Sequence, residues 1–182
     1  MLEVLGEGLF HLDQSKVPHK KFQPGAGPYG EPQLFGSIVQ FVKQTYPVEF
    51  KGIRTSLRPD ILIPERWAVE CKIVRPYGDN GVIAEHWSQN LLHPYRGNTS
   101  SIGDIYKLLD LAGPEKKAVV VVTFSQAKPE LDLEVIIKIF ELIATEGLKL
   151  PISTRSEKKI KGLIHPVHQQ ATIYGWEVGI VD

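Results

Sequence analysis

The residues best suited to chemistry lie in one stretch, 58–75, which reads RPDILIPERWAVECKIVR. Two apolar runs, 60–63 and 67–74, flank Pro64-Glu65-Arg66 and predict two strands joined by a short turn. With the turn at 64–66, Ile63 faces Trp67, and counting back along both strands places Asp60 opposite Glu70. Directly opposed residues of such a pair have Cβ atoms about 4.5–5.5 Å apart on one face. Lys72, two residues beyond Glu70, shares that face, while Val69, Cys71 and Ile73 point the other way, into core. One strand face thereby gathers two carboxylates and an ammonium among apolar neighbours.

Two carboxylates that close repel each other unless a cation lies between them. Ligation by oxygen alone, without His or Cys spacing, suits a hard ion such as Mg²⁺ or Mn²⁺. An ion so held lowers the pKa of a bound water and stabilises the charge of a developing phosphorane. A lysine beside it orients or deprotonates that water, or binds a phosphate oxygen. The set fits metal-assisted phosphodiester hydrolysis. The competing reading is a solvated Glu-x-Lys on an exposed strand and an Asp that merely shapes a turn. Against it stand the apolar neighbours Trp67, Ala68, Val69, Ile73 and Val74, among which an idle polar pair is costly, and the matching register of Asp60.

Around this hairpin the pattern predicts a helix over 32–45, with Leu34, Ile38, Phe41 and Val42 at helical spacing, Pro32 in its first turn and Pro47 as its stop. A strand follows over 48–55, where Gly52 marks a bulge or bend. After the hairpin, the turn 78–81 leads into a helix over 82–92, ended by Pro94. A second helix spans 101–112, opened by a capping box from Ser101 to Asp104 and closed by Gly113-Pro114. The unbroken run KAVVVVTF at 117–124 suits a strand buried on both faces. A long, mostly apolar helix covers 131–148, wet along Glu134, Lys138, Glu141 and Thr145, and a last strand covers 171–181. The order α-β-β-β-α-α-β-α-β gives an α/β fold, a mixed central sheet flanked by helices. The Pro- and Gly-rich stretch 18–32 reads as a loose arm. No second linker is visible, so 1–182 is read as one domain: an N-terminal arm over 1–31, a core over 32–124 and an extension over 125–182.

Pro59-Asp60, nine intervening residues, and then Glu70-Cys71-Lys72 resemble the signature of the PD-(D/E)xK nuclease superfamily, which includes restriction endonucleases, junction resolvases and repair nucleases. The resemblance covers about residues 31–124 and extends to the order of elements, an αβββαβ restriction-endonuclease-like core. It implies a Mg²⁺- or Mn²⁺-dependent deoxyribonuclease, most simply an endonuclease. Asp60 and Glu70 would be metal ligands with the backbone carbonyl of Cys71, and Lys72 the catalytic lysine. Many members carry a Glu on the first helix, and Glu31 is the acid at that helix's start here.

A nuclease also needs phosphate contacts, for which Arg54, Arg58, Arg75, Arg96 and Lys107 are candidates. The N–H groups near Ser100 and Ser101, at a helix start, are further candidates, though Ser101 equally serves as a plain cap. The basic run Arg155, Lys158, Lys159 and Lys161 reads as an exposed loop. In His165-Pro166-Val167-His168 the proline breaks helical ligand spacing, so no zinc is expected there. His86, His93 and Trp87 lack the pattern of a histidine-metal nuclease, and Cys71 reads as a small buried hydrophobe.

Twenty-one basic and 21 acidic side chains cancel, which excludes a uniformly cationic nucleic-acid coat but not a local basic groove. A single cysteine excludes an internal disulfide and a multi-cysteine zinc site. No long apolar run predicts a membrane span, and the N-terminus lacks the form of a secretory signal, so a cytoplasmic protein is expected. The partner expected is DNA, with no membrane contact and with a second copy of the chain, since cutting both strands takes two sites. The alternative function is an inactive nuclease-fold subunit of a restriction or repair complex.

Overall fold

Val119 to Val122 alternate between two hydrophobic cores, which is why four valines in a row are needed. Val120 and Val122 join one cluster with Leu9, Leu34, Ile38, Val69 and Cys71. Val119 and Val121 join the other with Leu91, Ile102, Ile105, Phe140 and Trp176. The strand that carries them, β4 (Lys116–Ser125), therefore runs through the middle of the molecule. The computed structural model describes residues 1–179.

The sheet has six strands. They are β1 (Arg54–Thr55), β2 (Ile61–Ile63), β3 (Trp67–Val74), β4, β5 (Ser156–Lys161) and β6 (Gln170–Val178). Their order across the sheet is β1-β2-β3-β4-β6-β5. Only β3 and β4 run parallel, and the other pairs are antiparallel. A parallel pair needs a crossover, and here it holds α3 (Gln89–Leu92) and α4 (Ser101–Asp110). The helices α1 (Leu2–Gln14) and α2 (Glu31–Thr45) pack on one face of the sheet. On the other lie α3, α4 and α5 (Leu133–Leu142), the last continued by a π-helical turn, Ile143–Gly147. The α/β fold with a mixed central sheet between helices is the one expected, and over 31–125 the elements follow in the order α2, β1, β2, β3, α4, β4, with only the one-turn α3 between.

Several elements differ from the sequence reading, each for a local reason. Residues 1–31 are not an arm as a whole: 16–24 are irregular and mostly exposed, but α1 buries Leu5 and Leu9 against α2 and β5. Its glycines mask the helical pattern, yet they allow the approach. A Cβ at Gly6 would meet Lys158 Cγ at 3.1 Å, and one at Gly8 would meet Ile38 Cγ2 at 3.1 Å. Residues 25–29 are buried too. The Asp13 carboxylate ties that loop down, accepting from Ala26 N and from Ile164 N, each at 2.9 Å. The strand expected over 48–55 contracts to β1, because turns fill 47–52 and Gly52 takes φ +77°. The helix expected over 82–92 contracts to α3, after a turn stretch in which Gly81 and His86 both have positive φ. The N-cap of α4 is Ser100 rather than Ser101: its Oγ accepts from Gly103 N at 3.1 Å. Of the basic run, Lys158, Lys159 and Lys161 lie on the edge strand β5 in place of a loop, with Arg155 just before it. The last strand ends at Val178, and the expected residues 180–181 lie outside the described ones.

Candidate active site

The β2–β3 ladder has the expected register, with Ile63 opposite Trp67, Leu62 opposite Ala68 and Ile61 opposite Val69. One step further, past the end of β2, Asp60 comes level with Glu70. Because β2 stops there, the outward N–H groups of Cys71 and Ile73 lack strand partners on that side, and unpaired buried donors are costly. Two carboxylates take them. Asp60 Oδ2 accepts from Cys71 N at 2.8 Å, and Glu31 Oε1, from the first turn of α2, accepts from Ile73 N at 3.0 Å. The Cys71 carbonyl leaves the strand on the same side as its N–H, beside Asp60. The thiol itself is buried and free, as expected of a small hydrophobe.

Glu70 is 5% exposed and its carboxyl lies beside that of Asp60. Burial first, then the neighbouring Asp60 carboxyl and the charge of Asp104, push its pKa up to about 8, against a smaller pull downward from Lys107. Lys72, 8% exposed, lies 3.3 Å from Glu31 Oε2 and 3.3 Å from Asp104 Oδ2. Burial alone would lower its pKa, but the Glu31 and Asp104 carboxylates outweigh burial and raise it, so the ammonium stays charged at neutral pH.

Asp104 escaped the sequence reading, which gave it to a capping box. It sits on the inward stripe of α4 with Ser101, Ile105 and Leu108, and an acid on an apolar stripe was the available signal. It is 1% exposed, and its Oδ1 accepts from Lys107 Nζ at 2.6 Å. Its Oδ2 faces Lys72 Nζ at 3.3 Å. Burial raises its pKa, and Lys72 and Lys107 only partly offset that. Glu31, Asp60, Glu70 and Asp104 against Lys72 and Lys107 leave a formal charge of −2 when all are ionised.

Beside Glu70 opens a cavity of about 330 Å³ lined by Arg58, Arg96, Tyr106 and Lys107. The other expected phosphate contacts are placed less favourably. Arg96 is spent on a two-pronged pair with Asp110, at 2.5 and 2.6 Å, above the Tyr106 ring. Arg75 is turned inward, donating to the Gly27 carbonyl at 2.5 Å, and burial lowers its pKa. Arg54 is exposed on the edge strand β1. Ser100 and Ser101 are fully buried, and the N–H groups of Ser100 and Gly103 are taken by Asn98 Oδ1 and Ser100 Oγ. The two serines therefore face the interior instead of a phosphate.

A second polar cluster joins Asp79, His165 and His168, each offering one ligand-type atom within 4.8 Å of the others. His168 Nε2 lies 2.9 Å from Asp79 Oδ1, and His165 Nε2 lies 4.0 Å from it. Yet His165 Nδ1 accepts two main-chain hydrogen bonds, from Val167 N and His168 N, each at 3.2 Å. A neutral imidazole that accepts at Nδ1 carries its proton on Nε2, the atom an ion would need. Burial lowers the pKa of both rings, that of His168 to about 4, so the pair stays neutral near pH 7. The cluster braces loop 162–168 against the turn after β3.

No family model, curated protein or solved structure matches this chain.

Proposed function

We propose that the protein is a divalent-metal-dependent nuclease of the PD-(D/E)xK type, hydrolysing phosphodiester bonds in DNA, most simply as an endonuclease. The observation that carries this reading is the convergence of Asp60, Glu70, Glu31 and Lys72 at the open edge of β3. With every group ionised the cluster carries an excess of two negative charges, which one Mg²⁺ or Mn²⁺ would neutralise, and the oxygen-only donor set suits such an ion. Asp60, Glu70 and the Cys71 carbonyl would hold it. Glu31 is committed to Ile73 N and Lys72, so it serves the lysine first. A bound ion supplies a more acidic water and charge stabilisation at the phosphorus.

Lys72 does a different part. Held charged between two carboxylates, it is no general base at neutral pH; it donates to a phosphate oxygen and stabilises charge there as it grows. Lys107 does the same from the cavity side of Glu70. The reading extends to a pair of copies. The outer side of α5 leaves Val135, Ile139 and Leu142 uncovered at helical spacing, a row that a second protomer would bury.

The test is cleavage of linear and circular DNA in Mn²⁺. The wild-type chain is expected to cut, and Lys72→Ala to cut about 10²–10³-fold more slowly at a temperature where circular dichroism shows the variant folded. Cutting that survives both Lys72→Ala and Asp60→Asn would end this reading. The alternative, a nuclease fold without chemistry, predicts no cleavage and no ion uptake by the wild-type chain.

A further inference from the structure

Glu31 also borders a second cavity, of about 570 Å³, separate from the one beside Glu70. That is within the range of about 300–1,000 Å³ typical of small-ligand sites. Glu31 forms part of its wall, so the cavity begins where the reactive cluster ends. Its other walls differ in kind from those beside Glu70. Phe22, Tyr77 and Trp87 supply aromatic lining and Gln89 and Asn90 exposed amides, while Asp79 and Glu85 border it as acids. Tyr77 is 4% exposed and its buried hydroxyl has no hydrogen-bond partner among the described residues. Aromatic faces with amide and hydroxyl groups around them are the equipment for stacking a base and reading its edge.

We propose that this cavity receives one unpaired nucleobase of the strand cut at the neighbouring carboxylates, so that the protein prefers single-stranded or frayed DNA to an intact duplex. The inference rests on the nuclease reading and names the substrate class for that site. A strand crossing the cluster would meet Arg58 and Lys107 on the Glu70 side, where its phosphates belong, and Phe22 and Trp87 on the Glu31 side, where a base belongs. In a duplex that base is stacked and paired, and reaching the cavity requires extruding it.

The experiment is fluorescence anisotropy in Ca²⁺ with a labelled single strand of about 12 nucleotides and a blunt duplex of the same sequence, both checked as intact on a gel. Mn²⁺ uptake and DNA cleavage are measured alongside. The single strand is expected to bind about tenfold tighter than the duplex. Tyr77→Phe, which removes only the unpartnered hydroxyl, and Asn90→Ala, at an exposed position, are each expected to weaken strand binding roughly threefold or more while leaving Mn²⁺ uptake unchanged. Equal affinity for the two probes, or wild-type strand binding by both variants, overturns the proposal. If Mn²⁺ binds and DNA is cut while the probes bind alike, the cavity assignment alone falls. If neither ion nor probe binds, the nuclease reading falls and takes this with it.

Discussion

At the residue scale the decisive group is Glu70, a buried carboxyl pressed against a second one. Its folded pKa of about 8 lies above the ordinary carboxylate value of 4.5, so the fold favours its protonated form. The stability this contributes is present at low pH and is lost as pH rises toward 8. Two outcomes follow. In the metal-free protein, Glu70→Gln is expected to raise Tm relative to wild type at about pH 9 and to change it little near pH 5, by calorimetry across pH. An ion must displace the same proton, so Mn²⁺ affinity is expected to climb about tenfold per pH unit up to about pH 8 and then level off. A pH-independent affinity would show that Glu70 is not a ligand.

At the scale of elements, α4 is a structural part of the site. Asp104 brings an acid from the crossover to Lys72, so the helix that closes the parallel β3–β4 link also fixes the lysine. Removing one partner of a buried ion pair strands the other charge. Asp104→Ala is therefore expected to destabilise the fold by about 3–5 kcal/mol in urea titration, whereas Arg96→Ala, at an exposed pair, is expected to move the urea midpoint far less. Much of this level was legible in sequence. A three-residue turn fixes a hairpin register, and period-two alternation fixes which side Glu70 and Lys72 occupy, so strand β3 and its pairing with β2 were readable. The valine run likewise announced β4. What was not legible depended on distant partners. The fold of α1 depends on glycine contacts to Ile38 and Lys158, neither of them nearby in sequence. The role of Asp104 is set by Lys72, 32 positions earlier, and the edge strand β5 exists only because β6 is there to pair with it.

At the scale of the whole molecule, opposite charges cancel overall, while Glu31, Asp60, Glu70 and Asp104 gather around Lys72 beside β3, between two cavities. No helix among the described residues is long and apolar enough to cross a membrane. The uncovered row on α5 is expected to hold two copies together, and light scattering is expected to read a dimer that Leu142→Lys converts to monomer. Light scattering that reads only monomer for the wild-type chain at high concentration removes the dimer without touching the site. The central claim concerns the gathered carboxylates, and calorimetric titration with Mn²⁺ tests it most directly. The account predicts uptake by the wild-type chain near pH 8 that is lost in both Asp60→Asn and Glu70→Gln; a wild-type chain that takes up no ion, or variants that bind it as well as wild type, would contradict it.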